Sequence, residues 1–170
     1  MTRLTTKGQT GTILLAQNEP RKAALLQLAI AELGWQNPVK IVPDGPSVIA
    51  YLRGDDAYRD RSLFPVPVLL LLELDLPGLD GLALLKWLET HSQYKSFHVV
   101  VLIGAGDTRR ADQAYQCGAS SFLVQPVATG ELRSTLEKLR VPLSRPAKVC
   151  GNDSVTSATP QPMASSATPQ

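Results

Sequence analysis

Two hydrophobic patterns take turns between residues 12 and 140. Short, nearly continuous apolar runs, "TILLA" (12–16), "VKIV" (39–42), "VLLLLEL" (68–74), "HVVVLI" (98–103) and "SSFLV" (120–124), have the length and composition of strands. The stretches between them repeat apolar residues at helical spacing. Pro20 fits a first helical position, and Leu25, Leu28, Ala29 and Leu33 mark the face this helix is expected to bury before Gly34 ends it. "PSVIAYLR" (46–53) predicts a short second helix, and "GLALLKWLET" (81–90) a third with Leu84, Leu85 and Leu88 inward. Asp107 is expected to cap a fourth helix that runs to Cys117 and closes at Gly118. Thr129 is expected to cap a fifth, with Leu132, Leu136 and Leu139 on its buried stripe.

Five β-α units in this order predict an α/β fold: a parallel sheet covered on both faces and joined by right-handed crossovers. Strands that are apolar along their whole length suit such a sheet. Ligands then bind beyond the carboxyl ends of the strands, where the strand order reverses. Those ends carry Gln17, Asn18, Glu19, Glu73, Asp75, Ile103 and Gln125.

Composition narrows the picture. The 170 residues are 44% hydrophobic, enough for one full core, and the formal charge of +2 comes without a Lys/Arg block, which argues against nucleic acid. Neither a signal peptide nor a membrane span is expected, so the reading is a cytoplasmic protein. Cys117 and Cys150 form no metal-spaced cluster and are expected to be free thiols. From Val141 onward the chain turns rich in Pro, Ser, Thr and Ala, lacks aromatics and repeats "SATPQ", so residues 141–170 are expected to be a disordered tail. Residues 1–11 are expected to be loose as well, leaving 12–140 as the folded unit.

Five punctuating segments carry a family resemblance. "ILLAQNEP" is similar to ILLVEDNP, "DGPSVIAYL" to DG-x-x-A-L-x-x-L, and "LLLLELDLPGLDG" to ILLDLNLPGMDG. "HVVVLI" is similar to PVVVLT and "QCGASSFLVQPV" to x-x-GA-x-x-YLxKPV. In this order and spacing, residues 12–140 resemble the receiver domain of bacterial two-component response regulators. The insertion "RGDDAYRDRSLFPVP" (53–67) resembles that of the small stand-alone regulators associated with phytochrome-type histidine kinases. The resemblance implies a doubly wound, five-stranded parallel sheet of the flavodoxin-like receiver type, strand order 2-1-3-4-5. It also implies a phosphoryl site: an aspartate ending strand three, two acids after strand one that hold Mg²⁺ with it, a hydroxyl residue ending strand four and a lysine ending strand five. That chemistry needs anionic oxygens for the hard cation and positive charge for the transferred group.

This chain departs from the pattern at each of those positions. Glu73 stands at the phosphoacceptor, Gln17 and Asn18 at the acidic pair, Ile103 at the hydroxyl residue and Gln125 at the lysine, while Phe122 takes the place of the switch aromatic. Glu73 is one methylene longer than aspartate and reaches closer to where a phosphoryl group would sit. The amides of Gln17, Asn18 and Gln125 are the expected hydrogen-bond donors to it, Phe122 is expected to be buried, and Asp80 is expected to cap the third helix.

The expectation is a divergent, stand-alone receiver that binds protein partners without phosphorylation: a pseudo-receiver, not an enzyme, with no metal and no cofactor. A histidine kinase or another signalling protein is the expected class of partner, Arg109 and Arg110 are candidates for the partner surface, and homodimerisation stays open. One alternative is an active phosphorelay receiver with weak Mg²⁺ and an atypical acceptor, Glu73 or Asp75. A second is a cofactor binder or enzyme on a flavodoxin-like fold, although neither "AQNEPR" nor the loop after strand three is a phosphate-cradling loop.

Overall fold

The computed structural model describes residues 11–144. Five parallel strands, β1 (Thr12–Ala16), β2 (Val39–Val42), β3 (Pro67–Glu73), β4 (His98–Ile103) and β5 (Ser121–Val124), form one sheet in the order β2-β1-β3-β4-β5. The helices between them are α1 (Pro20–Glu32), α2 (Gly45–Arg53), α3 (Gly81–Thr90), α4 (Thr108–Gln116) and α5 (Thr129–Lys138).

The strand pleat divides the core in two. Ile13, Leu15, Leu69, Leu71, Val100, Leu102 and Leu123 cluster with residues of α1 and α5 on one face. Leu14, Ala16, Leu70, Leu72, Val99, Val101 and Ile103 cluster with α2, α3 and α4 on the other. Because side chains alternate between faces, each strand-end residue inherits its face from its parity.

Several local expectations are corrected here. The buried residues of α1 are Ala23, Leu26, Ala29 and Ile30, whereas Leu25 and Leu28 are 59% and 57% exposed. The helix meets the sheet about a quarter-turn away from its leucine-richest face, because small Ala23 and Ala29 let the backbone approach closely. Asp107 stands at the N-cap of α4 without a side-chain cap bond. Thr129 is the first residue of α5 rather than its cap, and its hydroxyl donates to Glu32 of α1 at 2.8 Å. Asp80 does cap α3, accepting from the Leu82 N–H at 3.1 Å.

The folded unit also extends past both expected edges. Val141 is buried, Leu143 packs against the α1/α5 core, and Ser144 bonds through its N–H to Asn37 and through its carbonyl to the Gln36 N–H. Gly11 accepts a hydrogen bond from the Asn37 side chain. The remainder of the expected tail, with Cys150, and residues 1–10 lie outside the described residues.

The insertion between α2 and β3 is a packed element. Tyr51, Tyr58 and Phe64 pack in tilted and edge-to-face contacts with ring centroids 5.2 to 5.9 Å apart. Arg61 turns back onto the C-terminus of α2, donating to the carbonyls of Tyr51, Leu52 and Phe64 at 2.7 to 3.1 Å. The Tyr51 and Leu52 carbonyls belong to the last turn of α2, where a helix runs out of intrahelical donors.

Candidate functional site

Glu73 is the last residue of β3 and shares the parity of Leu69 and Leu71, so its side chain leaves the sheet toward α1 and α5. The chain turns immediately after it. Gly78 holds φ +78 in the Pro-Gly turn, and a Cβ on Gly81 would lie 2.7 Å from the Leu74 Cα and 2.9 Å from the Glu73 carbonyl oxygen. Glycine at residue 81 is what lets the start of α3 pack against this strand end.

The carboxylate of Glu73 is buried and fully engaged. Its Oε1 accepts from the N–H groups of Leu74 at 3.0 Å and Asp75 at 3.4 Å. Its Oε2 accepts from the Gln17 side-chain amide at 3.2 Å and from that of Gln125. The Gln17 amide is oriented at both ends, since its oxygen accepts the Glu19 N–H at 3.0 Å. Among the described residues no lysine or arginine forms an ion pair with Glu73. Lys22 on α1 feels this charge: its ammonium is held protonated above its ordinary range by Glu19, with smaller contributions from Glu73 and Asp75. Burying a charge is tolerable when its lone pairs are filled, and four N–H donors fill them here.

Gln17 and Gln125 are thus brought to Glu73, and Asn18 is not. Asn18 is exposed and makes no contact with the carboxylate, because β1 ends at Ala16 and only Gln17 continues its parity toward Glu73. Ile103 and Phe122 lie on the opposite face of the sheet. Ile103 is buried in the cluster that includes Ala111 and Ala114 of α4. Phe122 is half-buried rather than buried, packing on that cluster with its ring edge-to-face on Tyr115 at 5.8 Å. The polar trio and the aliphatic-aromatic pair therefore occupy different sides of one strand end.

These residues do not fit a magnesium ion of the usual receiver kind. Such a cation asks for several free oxygen ligands. Both oxygens of Glu73 are taken by N–H donors, Gln17 presents its amide nitrogen to that carboxylate, and Asn18 is exposed and not among its partners. Among the described residues no group of three or more His, Cys, Asp and Glu side chains is arranged to hold a metal.

Asp75 and Arg110 have a relation the sequence did not disclose. Arg110, on α4, reaches across to Asp75 at 2.6 Å and to Asp80 at 3.2 Å, and lies 3.9 Å from Asp107. Its side chain is 23% exposed while that of Asp75 is 79% exposed. Arg110 therefore ties α4 to the loop after β3, and only Arg109 of the pair remains exposed to solvent. Three acids separated by up to 32 positions offer no sequence spacing that would have revealed them as neighbours.

Fold and strand-end site together define a receiver-type α/β protein with a buried carboxylate, held by two side-chain amides and two backbone N–H groups, at the carboxyl end of β3. The family model of the response regulator receiver domain matches residues 13–137, and the chain belongs to that family. It is 34% identical over 127 residues to the two-component response regulator PhoP of Pseudomonas aeruginosa, covering 75% of this chain and 50% of that protein. It is 29% identical over 128 residues to the probable methanogenesis regulatory protein FilR2 of Methanothrix harundinacea, covering 75% of this chain and 80% of that one. Among solved structures it resembles the bacteriophytochrome response regulator AtBRR, with a TM-score of 0.72 and 26% identity over 82% of this chain and 99% of that chain. The five-stranded order and the likeness to phytochrome-associated regulators thus agree with the expectation from the segment motifs. Receivers of this family work by interaction with other signalling proteins, and no helix among the described residues is long and apolar enough to cross a membrane.

Proposed function

We propose that this protein is a phosphorylation-independent receiver: a cytoplasmic protein-binding module that presents one fixed signalling surface and catalyses no phosphoryl transfer. The observation that carries the reading is the environment of Glu73. A carboxylate stands at the acceptor position with both oxygens saturated by two backbone N–H groups and the amides of Gln17 and Gln125. It offers one negative charge where a phosphoryl group would bring nearly two, so it stands in for part of the modified state.

Ile103 supports the same reading from the other face. A switching receiver needs a hydroxyl that swings toward phosphate, and a buried aliphatic chain has nothing to donate. The site then has one arrangement rather than two. The partner is a signalling protein, a histidine kinase or a protein downstream of one.

The test is incubation of the full chain with acetyl phosphate and Mg²⁺, followed by phosphate-affinity electrophoresis and intact mass. No phosphorylated species is expected. Stoichiometric labelling at Glu73 or Asp75 would overturn the reading and return the protein to phosphorelay chemistry.

A further inference from the structure

A groove of about 510 Å³ opens beside Glu73, between α1 and the β5–α5 connection. Its walls are apolar: Leu25 and Leu28 from α1 face Pro126 and Val127. This is where the two leucines missing from the core are found, at 59% and 57% exposure. Large apolar side chains gathered around a concavity of this size mark a ligand site more readily than scattered surface leucines do.

The charged groups of the groove are few and mostly acidic. Glu32, Glu73 and Asp75 line it against the single ammonium of Lys22, which is paired with Glu19 at 2.6 Å. Asp75 is paired with Arg110 at 2.6 Å, so among the described residues Glu32 and Glu73 are the groove's carboxylates without an ion pair. Glu73 brings a charge with hydrogen-bond partners but no ion-pair partner, at the inner end of the groove beside Gln125. Neutral donors satisfy its lone pairs and leave its net charge in place, so a cation in the groove gains Coulomb energy without displacing any of the four N–H bonds. An anion would meet net repulsion from Glu32 and Glu73.

We propose that this groove binds a small organic cation with an apolar body, an alkylammonium in chemical class, its chain between Leu25, Leu28 and Val127 and its ammonium toward Glu73. The proposal stands whether or not Glu73 imitates a phosphorylated acceptor.

The probes are n-hexylammonium, n-hexanoate and n-hexanol, titrated into the full chain by NMR. Hexylammonium should saturate with a dissociation constant of about 1 mM or below, the strength a ligand of this size reaches in a formed pocket. Shifts should centre on residues 25, 28 and 125–127. Hexanoate and hexanol should each bind at least about tenfold more weakly, the factor expected of one partly screened charge. Leu28→Asn, at an exposed position, should weaken hexylammonium by a similar factor with an otherwise unchanged spectrum. Glu73→Gln should shrink the gap between hexylammonium and hexanol. Non-saturable shifts, shifts elsewhere, or equal binding of hexanoate or hexanol would each overturn the proposal. So would self-association that Leu28→Asn abolishes and hexylammonium leaves intact, since that would assign the groove to a second copy of the chain.

Discussion

Glu73 and Asp75 are two carboxylates two residues apart, and they are held by opposite means. Glu73 is 5% exposed, has four N–H donors and no cation. Asp75 is 79% exposed at its side chain and has a cation, Arg110, at 2.6 Å. A charge in contact with water needs little from its neighbours, and its ion pair adds little in return. A charge removed from water depends on every donor around it, because each lost hydrogen bond exposes it to the full desolvation penalty. The acid without a counter-ion is therefore the one more firmly built into the structure.

The sharpest way to break this comparison is to remove the amides. Gln17→Leu with Gln125→Leu leaves Glu73 buried with only its two backbone donors. Urea unfolding should show a loss of about 3–5 kcal/mol, the range for a buried charge deprived of partners. Adding Glu73→Leu to that pair should recover part of the loss, since the stranded charge is then gone. If the double variant loses less than about 1 kcal/mol, the size of a surface ion pair, the contrast fails.

Tyr51 sharpens the comparison with a buried group that stays neutral. Its phenol donates to the Pro65 carbonyl at 3.0 Å, and burial pushes its pKa up to about 12, with the Arg61 guanidinium pulling the other way. The unfolded phenol titrates near 10, so the folded pKa is the higher one. The stabilisation is then full below about pH 10 and is lost as pH rises through about 12, by about 3 kcal/mol at most. Chemical denaturation of wild type and Tyr51→Phe at rising pH checks this. The two should converge as the phenol ionises, and a difference that does not change with pH would contradict the assignment.

The smallest effect should come from the exposed acid. Asp75→Asn is expected to destabilise by less than about 1 kcal/mol, and the effect should shrink further at about 1 M salt. A loss comparable to that of the Gln17/Gln125 double variant would mean that Arg110 anchors α4 more strongly than its exposure suggests.

The alternation of patterns was legible because it follows from geometry that each residue carries locally. Strand length, a period of two, a period near 3.6, and Pro and Gly at element ends needed no knowledge of neighbours, and β1, β2 and β4 follow the sequence expectation to the residue. The motifs likewise pointed to Glu73, Gln17 and Gln125 as occupants of one site. Asn18 looked equivalent to Gln17 in sequence, and the end of β1 separated them. Leu25 and Leu28 looked like core, but one turn of a helix can dock at several rotations, and the small residues Ala23 and Ala29 decided which.

What the sequence determined by itself is therefore the order of elements, the parity of each strand-end side chain and the presence of one acid, Glu73, with the amides Gln17, Asn18 and Gln125 at the strand ends. The tertiary structure alone decided which parities meet. Parallel register placed Glu73 beside Leu102 of β4 and brought Gln17 and Gln125 to the same face from strands far apart in the chain. It sent Ile103 and Phe122 to the other face, folded Arg110 across to Asp75 and left two leucines lining a groove. The physical reason is that periodicity is a property of a segment, while a hydrogen bond between residues 52 or 56 positions apart exists only once the sheet has assembled.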